Sequence, residues 1–286
     1  MLLEDVHVSI LGLGLMGGSL ALALAGQVGE ITGVDPDPRA REEALERGMV
    51  SRAAAPAEAG PLIEAADLVV LATPLGQMAG ALEGIASYLR PGAVLTDIGS
   101  AKASLMAELQ PLVPKGVTYV PGHPIAGSDD AGIAGARGDM YRGAIWAVIG
   151  SSHPLVHAMI EAVGARVLMV SAEDHDATVS HTSHLPYLMA AATARVSCRR
   201  AQVDQSTFRL LAGGGFLDTT RVAGSSAAMG ADMCLYNRDN LLPALEEAQA
   251  VLKELTSLLR REDRQGLQRY LEEIRRELAA VRGDAR

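Results

Sequence analysis

The run Val6-His7-Val8-Ser9-Ile10-Leu11-Gly12-Leu13-Gly14-Leu15-Met16-Gly17 decides the fold of this chain. Residues 6–11 are β-branched and apolar enough to read as a short buried strand, and the apolar stretch from about Gly18 to Val28 reads as a helix. Between them lies a glycine turn. In a strand, turn, helix order, Gly12 permits the tight turn and Gly14 lets a pyrophosphate approach the backbone. Gly17 lets helix and strand pack closely, and the helix start at Leu15 and Met16 faces the anion. Residues 31–35, Ile-Thr-Gly-Val-Asp, form a second strand that ends in an acid. Asp35 sits where a carboxylate accepts hydrogen bonds from ribose hydroxyls, and it favours NAD over NADP because it repels a 2′-phosphate.

Outward from that turn, strand and helix signals alternate. Strands are expected at 68–72, 94–97, 117–121, 144–149 and 166–170, and helices at 78–89, 102–110 and 154–163. The pattern implies an α/β fold with a doubly wound parallel sheet of the Rossmann type. Thr73 and Pro74, and further on Ser100, follow strand ends, where such sheets bind ligands; Pro74 can equally open a helix and Ser100 cap one. After residue 170 the strand signals stop. Residues 172–200, 203–212, 241–259 and 263–281 have helical spacing, so a dinucleotide-binding domain (1–171) is expected to precede an all-helical substrate and dimerisation domain (172–286). The apolar content of those helices exceeds what a globule of that size needs for itself, which favours a homodimer.

Composition narrows the partners. A net charge of −9 argues against nucleic acid or an anionic membrane, both of which need a basic face, so an anionic small-molecule substrate would have to be held by specific arginines. No window holds the ~18 uninterrupted apolar residues of a membrane span, and no basic leader precedes residue 6. The expectation is a cytoplasmic protein. Cys198 and Cys234 stand in neither metal-binding nor redox spacing and read as reduced thiols.

Gly122-His123-Pro124-Ile125-Ala126-Gly127-Ser128 places one imidazole in a loop too rich in glycine and proline for a helix, where scaffolds present catalytic groups. Further on, His175, Asp176, His181 and His184 invite a metal reading. A closed site would need ligands from a second element, none has suitable spacing, and no metal is expected. His175 and His181 read as helix-packing residues as readily as functional ones. His184, in Ser183-His184-Leu185-Pro186, is the better candidate because Pro186 interrupts the helical pattern beside it. Arg221 follows Asp218 by three residues, so a carboxylate could orient a guanidinium able to grip a substrate carboxylate; a structural ion pair is the plainer possibility.

Together with residues 97–102 (Asp-Ile-Gly-Ser-Ala-Lys) and 214–221 (Gly-Gly-Phe-Leu-Asp-Thr-Thr-Arg), these motifs resemble, in order and over nearly the whole chain, the prephenate and arogenate dehydrogenases of tyrosine biosynthesis. The resemblance implies an NAD-dependent oxidative decarboxylation of prephenate or arogenate. His123 would be the base at the C4 hydroxyl and Ser100 the serine that contacts both histidine and hydroxyl. Arg221 would be the carboxylate-binding arginine with Asp218 as its orienting partner, Ser183, His184 and Ser128 would line the pocket, and the helical domain would form an intimate dimer. The sequence departs from the family where Tyr187 replaces the histidine of the SHLPH pattern and where neither the proline nor the tryptophan of the S-x-P…W pattern follows Arg221. Both departures lie on the substrate side, so Tyr187 joins the substrate candidates and an amino-substituted prephenate analogue stays open. A β-hydroxyacid dehydrogenase shares the order of domains but is disfavoured, because Lys253 is the only lysine after Lys115. A non-catalytic NAD-binding scaffold would keep the fold and the dimer without the chemistry.

Overall fold

The computed structural model describes residues 3–128 and 130–283. Its first half alternates β1 (His7–Leu11), α1 (Leu15–Leu24), β2 (Glu30–Val34), α2 (Pro38–Glu46), β3 (Arg52–Ala54), α3 (Gly60–Ala65), β4 (Leu68–Leu71), α4 (Leu75–Ile85), β5 (Val94–Asp97), α5 (Ala103–Leu109) and β6 (Thr118–Val120). The six strands pair in parallel in the order β3-β2-β1-β4-β5-β6, so the chain reverses its winding direction between β1 and β4. β4 is buried at every residue, as a strand covered by helices on both faces must be. β1 carries Val8 and Ile10 into one apolar cluster and Leu11 into another.

The chain then leaves this sheet. β7 (Gly122–Pro124) pairs antiparallel with β8 (Ile145–Ile149), which pairs parallel with β9 (Arg166–Val170); α6 (Pro154–Ala162) connects the last two. The strands at 144–149 and 166–170 therefore do not extend the parallel sheet as expected. The residues expected as a loop, 122–124, are instead an edge strand, where Pro124 costs nothing because no partner needs its missing N–H. Gly122 makes the junction possible. A side chain there would lie 2.7 Å from Trp146 Nε1 and 2.9 Å from the Asp97 carbonyl, so only glycine lets β7 press against the end of β5. The strand alternation buries Gly122 and Pro124 and turns His123 the other way, half-exposed.

The helical part starts with α7 (Ala172–Val179) and α8 (Leu185–Ala201), joined by a π-helical turn at Ser180–His184. The single helix expected over 172–200 is thus interrupted where Pro186 removes a backbone donor, and the wider turn re-aims His184 inward. α9 (Gln205–Leu211), α10 (Gly214–Thr220), a 3-10 turn at Arg221–Gly224 and α11 (Ala227–Tyr236) follow. Neither α10 nor α11 was expected: two glycines weaken the start of α10, and Ser226, which caps α11 by accepting from Met229 N, sits in a small-residue stretch that reads as loop. α12 (Arg238–Arg260) and α13 (Arg264–Val281) complete the chain. By packing the molecule divides into two compact units, Met1–Arg238 and Asp239–Arg286. No helix among the described residues is long and apolar enough to cross a membrane.

Candidate active site

At the carboxyl edge of β1 the backbone builds an anion cradle. Gly12 takes a φ of 99°, and a Cβ there would sit 2.6 Å from the Ala72 carbonyl oxygen; a Cβ on Gly17 would sit 1.9 Å from that of Gly12. Gly14 is different: no described protein atom lies within 4 Å of where its Cβ would be, so the space it leaves opens outward. Gly14 is also the N-cap of α1 and offers no side-chain acceptor, and the first turn at Leu15 and Met16 carries no acid, so the N-terminal amides keep their affinity for an anion. Asp35, just after β2, is fixed by the N–H groups of Leu13 and Asp37, which donate to its two oxygens at 2.7 and 2.8 Å. Each oxygen keeps a lone pair for a further donor. Beside it a cavity of about 220 Å³ is lined by Leu11, Val34, Pro36, Thr73, Gln77 and Ile85. The Thr73 hydroxyl is buried there without a partner among the described residues, while Pro74 serves as the N-cap of α4. An anion cradle, a fixed carboxylate and an apolar slot with one unsatisfied hydroxyl match the parts of a dinucleotide.

The second part of the site surrounds His123. Its Nδ1 lies 2.8 Å from His175 Nε2 on α7, with the rings edge to face at 5.0 Å, and His175 Nδ1 lies 2.7 Å from Asp176 Oδ1. Asp176 is pinned from the other side, where the backbone N–H groups of Lys102 and Ala103 at the start of α5 donate to its two oxygens at 2.8 Å. Burial alone would raise the Asp176 pKa, but the bonds from His175, Ala103 and Lys102 outweigh it and hold the carboxyl below the ordinary range. The Lys102 side chain is fully buried and donates to Asp97 Oδ1 and to the Gly122 carbonyl, tying β5 to β7 one residue from His123. Tyr119 donates to the other Asp97 oxygen. The environment of His123 is protein on most sides. That loss of water, with smaller contributions from His175, Lys102 and His184, pushes its pKa well below 6.5 and keeps the imidazole neutral.

His184 is fully buried, and Asn237 sets its state. The Asn237 amide donates to the Asp176 carbonyl, which can only accept, so the same NH₂ group faces His184 Nδ1 at 3.0 Å. The neutral ring therefore carries its proton on Nε2, a buried donor with no acceptor among the described residues. Burial lowers the His184 pKa to about 4.

The remaining candidates lie outside this cluster. Ser100 is half-buried after β5, with no hydrogen bond to His123 among the described residues; the contact in this structure comes from His175 instead. Ser128 binds Asp130 in a local turn, and Ser183 faces outward on the π turn. Asp218 and Arg221 are exposed on α10 and the 3-10 turn that follows it. Tyr187 packs on α11, with its hydroxyl so close to Gly230 that a Cβ there would lie 2.1 Å away. His175 and Asp176, metal-like or packing residues by their sequence, are bonded to each other, and His175 to His123. Among the described residues no group of three or more His, Cys, Asp or Glu could hold a metal. Lys102 and Asn237 do not stand out in the sequence, Asp97 does so only as a wall of the pocket at a strand end, and the adjacent His175–Asp176 pair reads as packing as readily as function.

A parallel sheet with a dinucleotide cradle at its carboxyl edge, and a neutral imidazole on the strand that leaves it, define a nicotinamide-dependent dehydrogenase. The nucleotide-binding domain of prephenate dehydrogenase matches residues 19–169, and the dimerization domain of the same enzyme matches residues 171–273. The Bacillus subtilis prephenate dehydrogenase is 30% identical over 92% of this chain and 72% of its own length. The Zymomonas mobilis cyclohexadienyl dehydrogenase is 27% identical over 97% of both. Among solved structures, prephenate dehydrogenase from A. aeolicus in complex with hydroxyphenyl propionate and NAD+ superposes with a TM-score of 0.87 at 30% identity, covering 96% of this chain and 98% of that one. The chain belongs to the prephenate dehydrogenase family and is an NAD-dependent dehydrogenase.

Proposed function

We propose that this enzyme oxidatively decarboxylates a cyclohexadienol carboxylate, prephenate or arogenate, with His123 as general base. The carrying observation is the His123 imidazole, held on β7 by His175 and partly exposed, where loss of water keeps it neutral. Bound NAD supplies the hydride acceptor. His123 takes the hydroxyl proton as C4 loses its hydride and becomes a carbonyl carbon; loss of the ring carboxylate as CO₂ then drives its electron pair through the ring onto the C4 oxygen, which takes the proton back from His123 as the ring becomes aromatic. General-base help of this kind is worth ~10²–10⁴-fold. His184 offers its buried Nε2–H to a substrate oxygen, a bond worth making because the donor is otherwise unsatisfied. Ser100 contacts the reacting hydroxyl, and Arg221, oriented by Asp218, takes a substrate carboxylate. Ser128 and Ser183 close the polar rim, and Tyr187 bounds the pocket from α8. Asp35 selects NAD over NADP. Residues 1–171 act as the nucleotide-binding domain and 172–286 as the helical substrate domain.

The assembly is a cytoplasmic homodimer through the helical domain. Support comes from the dimerization-domain match and from the exposed Val196, Val203, Leu210 and Leu211, which are 68–86% accessible on one chain. The function is tested by following NADH absorbance with purified protein, NAD, and prephenate or arogenate supplied separately. Turnover of either supports the reading and names the substrate; silence with both, while NAD binds, overturns it.

A further inference from the structure

The structure assigns His175 and Asp176 a positioning role toward His123: they fix its tautomer so that Nε2 is the free base. This rests on the proposed function, because it specifies how His123 acts. The direction of each hydrogen bond follows from the fixed end of the chain. Asp176 is a carboxylate whose oxygens already accept from two backbone N–H groups, so it accepts from His175 as well, and the His175 proton sits on Nδ1. A neutral His175 then presents a lone pair at Nε2. His123 Nδ1, 2.8 Å away, must donate into it. What remains on the His123 ring is an unprotonated Nε2, directed away from the cluster and able to take the proton of a substrate hydroxyl.

The same bonds matter during the reaction. When His123 Nε2 gains a proton, the ring becomes an imidazolium, and its Nδ1–H bond to His175 strengthens because the donor is now charged. His175 passes that polarisation on to the Asp176 carboxylate. No proton needs to reach Asp176; the one gained at Nε2 goes back to the C4 oxygen, which becomes a phenolate as CO₂ leaves, so the ring is neutral again when the product departs. The lysine opposes the imidazolium. A protonated His175, Lys102 and His184 each disfavour charge on His123, with Asp97 compensating Lys102 from β5; a neutral His175 that accepts at Nε2 does the opposite. The Asp176–His175 pair is therefore what makes a transient positive charge tolerable in a site otherwise built to exclude one.

One competing arrangement has His175 protonated on both nitrogens and donating to His123 Nδ1, which would leave the proton on His123 Nε2 and no base facing the substrate. Nitrogen-15 NMR of the histidine-labelled wild-type protein with NAD and no substrate separates the two. The expected result is a neutral His123 protonated at Nδ1, and a His123 protonated at Nε2 overturns the assignment. In Asp176→Asn the amide can donate to His175 Nδ1, which makes His175 Nε2 a donor and reverses its bond to His123, so His123 should appear mainly protonated at Nε2 and kcat should fall on the order of 10²–10⁴-fold, as expected when a base is held in the wrong tautomer, with KM and NAD affinity changed little. His175→Phe keeps the ring volume and should give the same kcat loss. It should also move the acid limb of the kcat–pH profile, because His123 then meets Lys102 and His184 without its acceptor. If either variant folds and retains wild-type kcat while His123→Asn is inactive, the positioning role is wrong and the base stands. If the wild type turns over neither substrate, the proposed function fails, and the NMR result still decides the tautomer.

Discussion

The glycine turn after β1 and the histidine cluster beside β7 achieve their geometry by opposite means. The turn is all backbone: Gly12 and Gly17 fit because a single Cβ would collide with a carbonyl, and no charged side chain is needed to shape the cradle. The cluster is carried mainly by side chains, a series of groups from Tyr119 through Asp97 and Lys102 to the Gly122 carbonyl beside His123, and from there through His175 to Asp176. A backbone site fails when a volume is added. A side-chain network fails when a charge or a proton is misplaced, even if every volume is kept.

The largest effect should come from testing the first half of that contrast. Gly17→Ala forces a Cβ to within 1.9 Å of the Gly12 carbonyl, and should destabilise the fold beyond the ~4–5 kcal/mol that most substitutions stay below, measured by urea unfolding. Gly14→Ala has open space and should unfold like the wild type while binding NAD about 10-fold or more weakly by calorimetry. Equal stability losses in the two variants would mean that the glycines are not doing different jobs.

In the network, Lys102→Met keeps most of the volume but leaves Asp97 charged and buried. It should cost ~3–5 kcal/mol in the same unfolding experiment, and adding Asp97→Asn should recover part of that loss. No recovery would show that the lysine acts through packing rather than charge.

Acid should also act on the network first. His123 and His184 have lowered pKa values when folded, near 4 for His184, against 6.5 when unfolded. Below 6.5 the unfolded chain binds protons that the folded one refuses, so their contribution to stability is complete above pH 6.5 and is lost as pH falls toward 4. The melting temperature should drop over that window. A flat profile would mean that these rings are charged in the native state.

Tyr187→Phe should have the smallest effect. The phenol packs against Gly230, so removing its hydroxyl should leave KM within about 3-fold, the scale of a packing contact rather than a lost substrate bond. A much larger KM would mean that the hydroxyl bonds the substrate rather than only bounding the pocket.

The two regions also differ in how far the sequence discloses them. The turn was legible because its constraints are local: Gly12, Gly14, Gly17 and Asp35 lie within one strand, helix, strand unit whose spacing is fixed by backbone geometry. The first six parallel strands follow from the same kind of pattern, except β3, which is three residues long and too short to carry an alternation. The edge strand at Gly122–Pro124 was hidden because glycine and proline signal a loop, and only the partner strand β8 makes it a strand. The histidine cluster was legible only in part. His123 and His184 stand in motifs with unusual backbone. His175 and Asp176 sit in an ordinary helix, and what gives them a role is that α7 packs on the start of α5, more than 70 residues earlier, a contact no local pattern encodes.

The most direct test is the rate of hydride transfer in a single turnover of His123→Asn, with NAD and substrate both bound. General-base catalysis by His123 predicts a transfer rate lower by ~10²–10⁴-fold, with NAD affinity unchanged, because Asn keeps much of the shape but cannot take the proton. A transfer rate close to that of the wild type would contradict it and place the base on another residue.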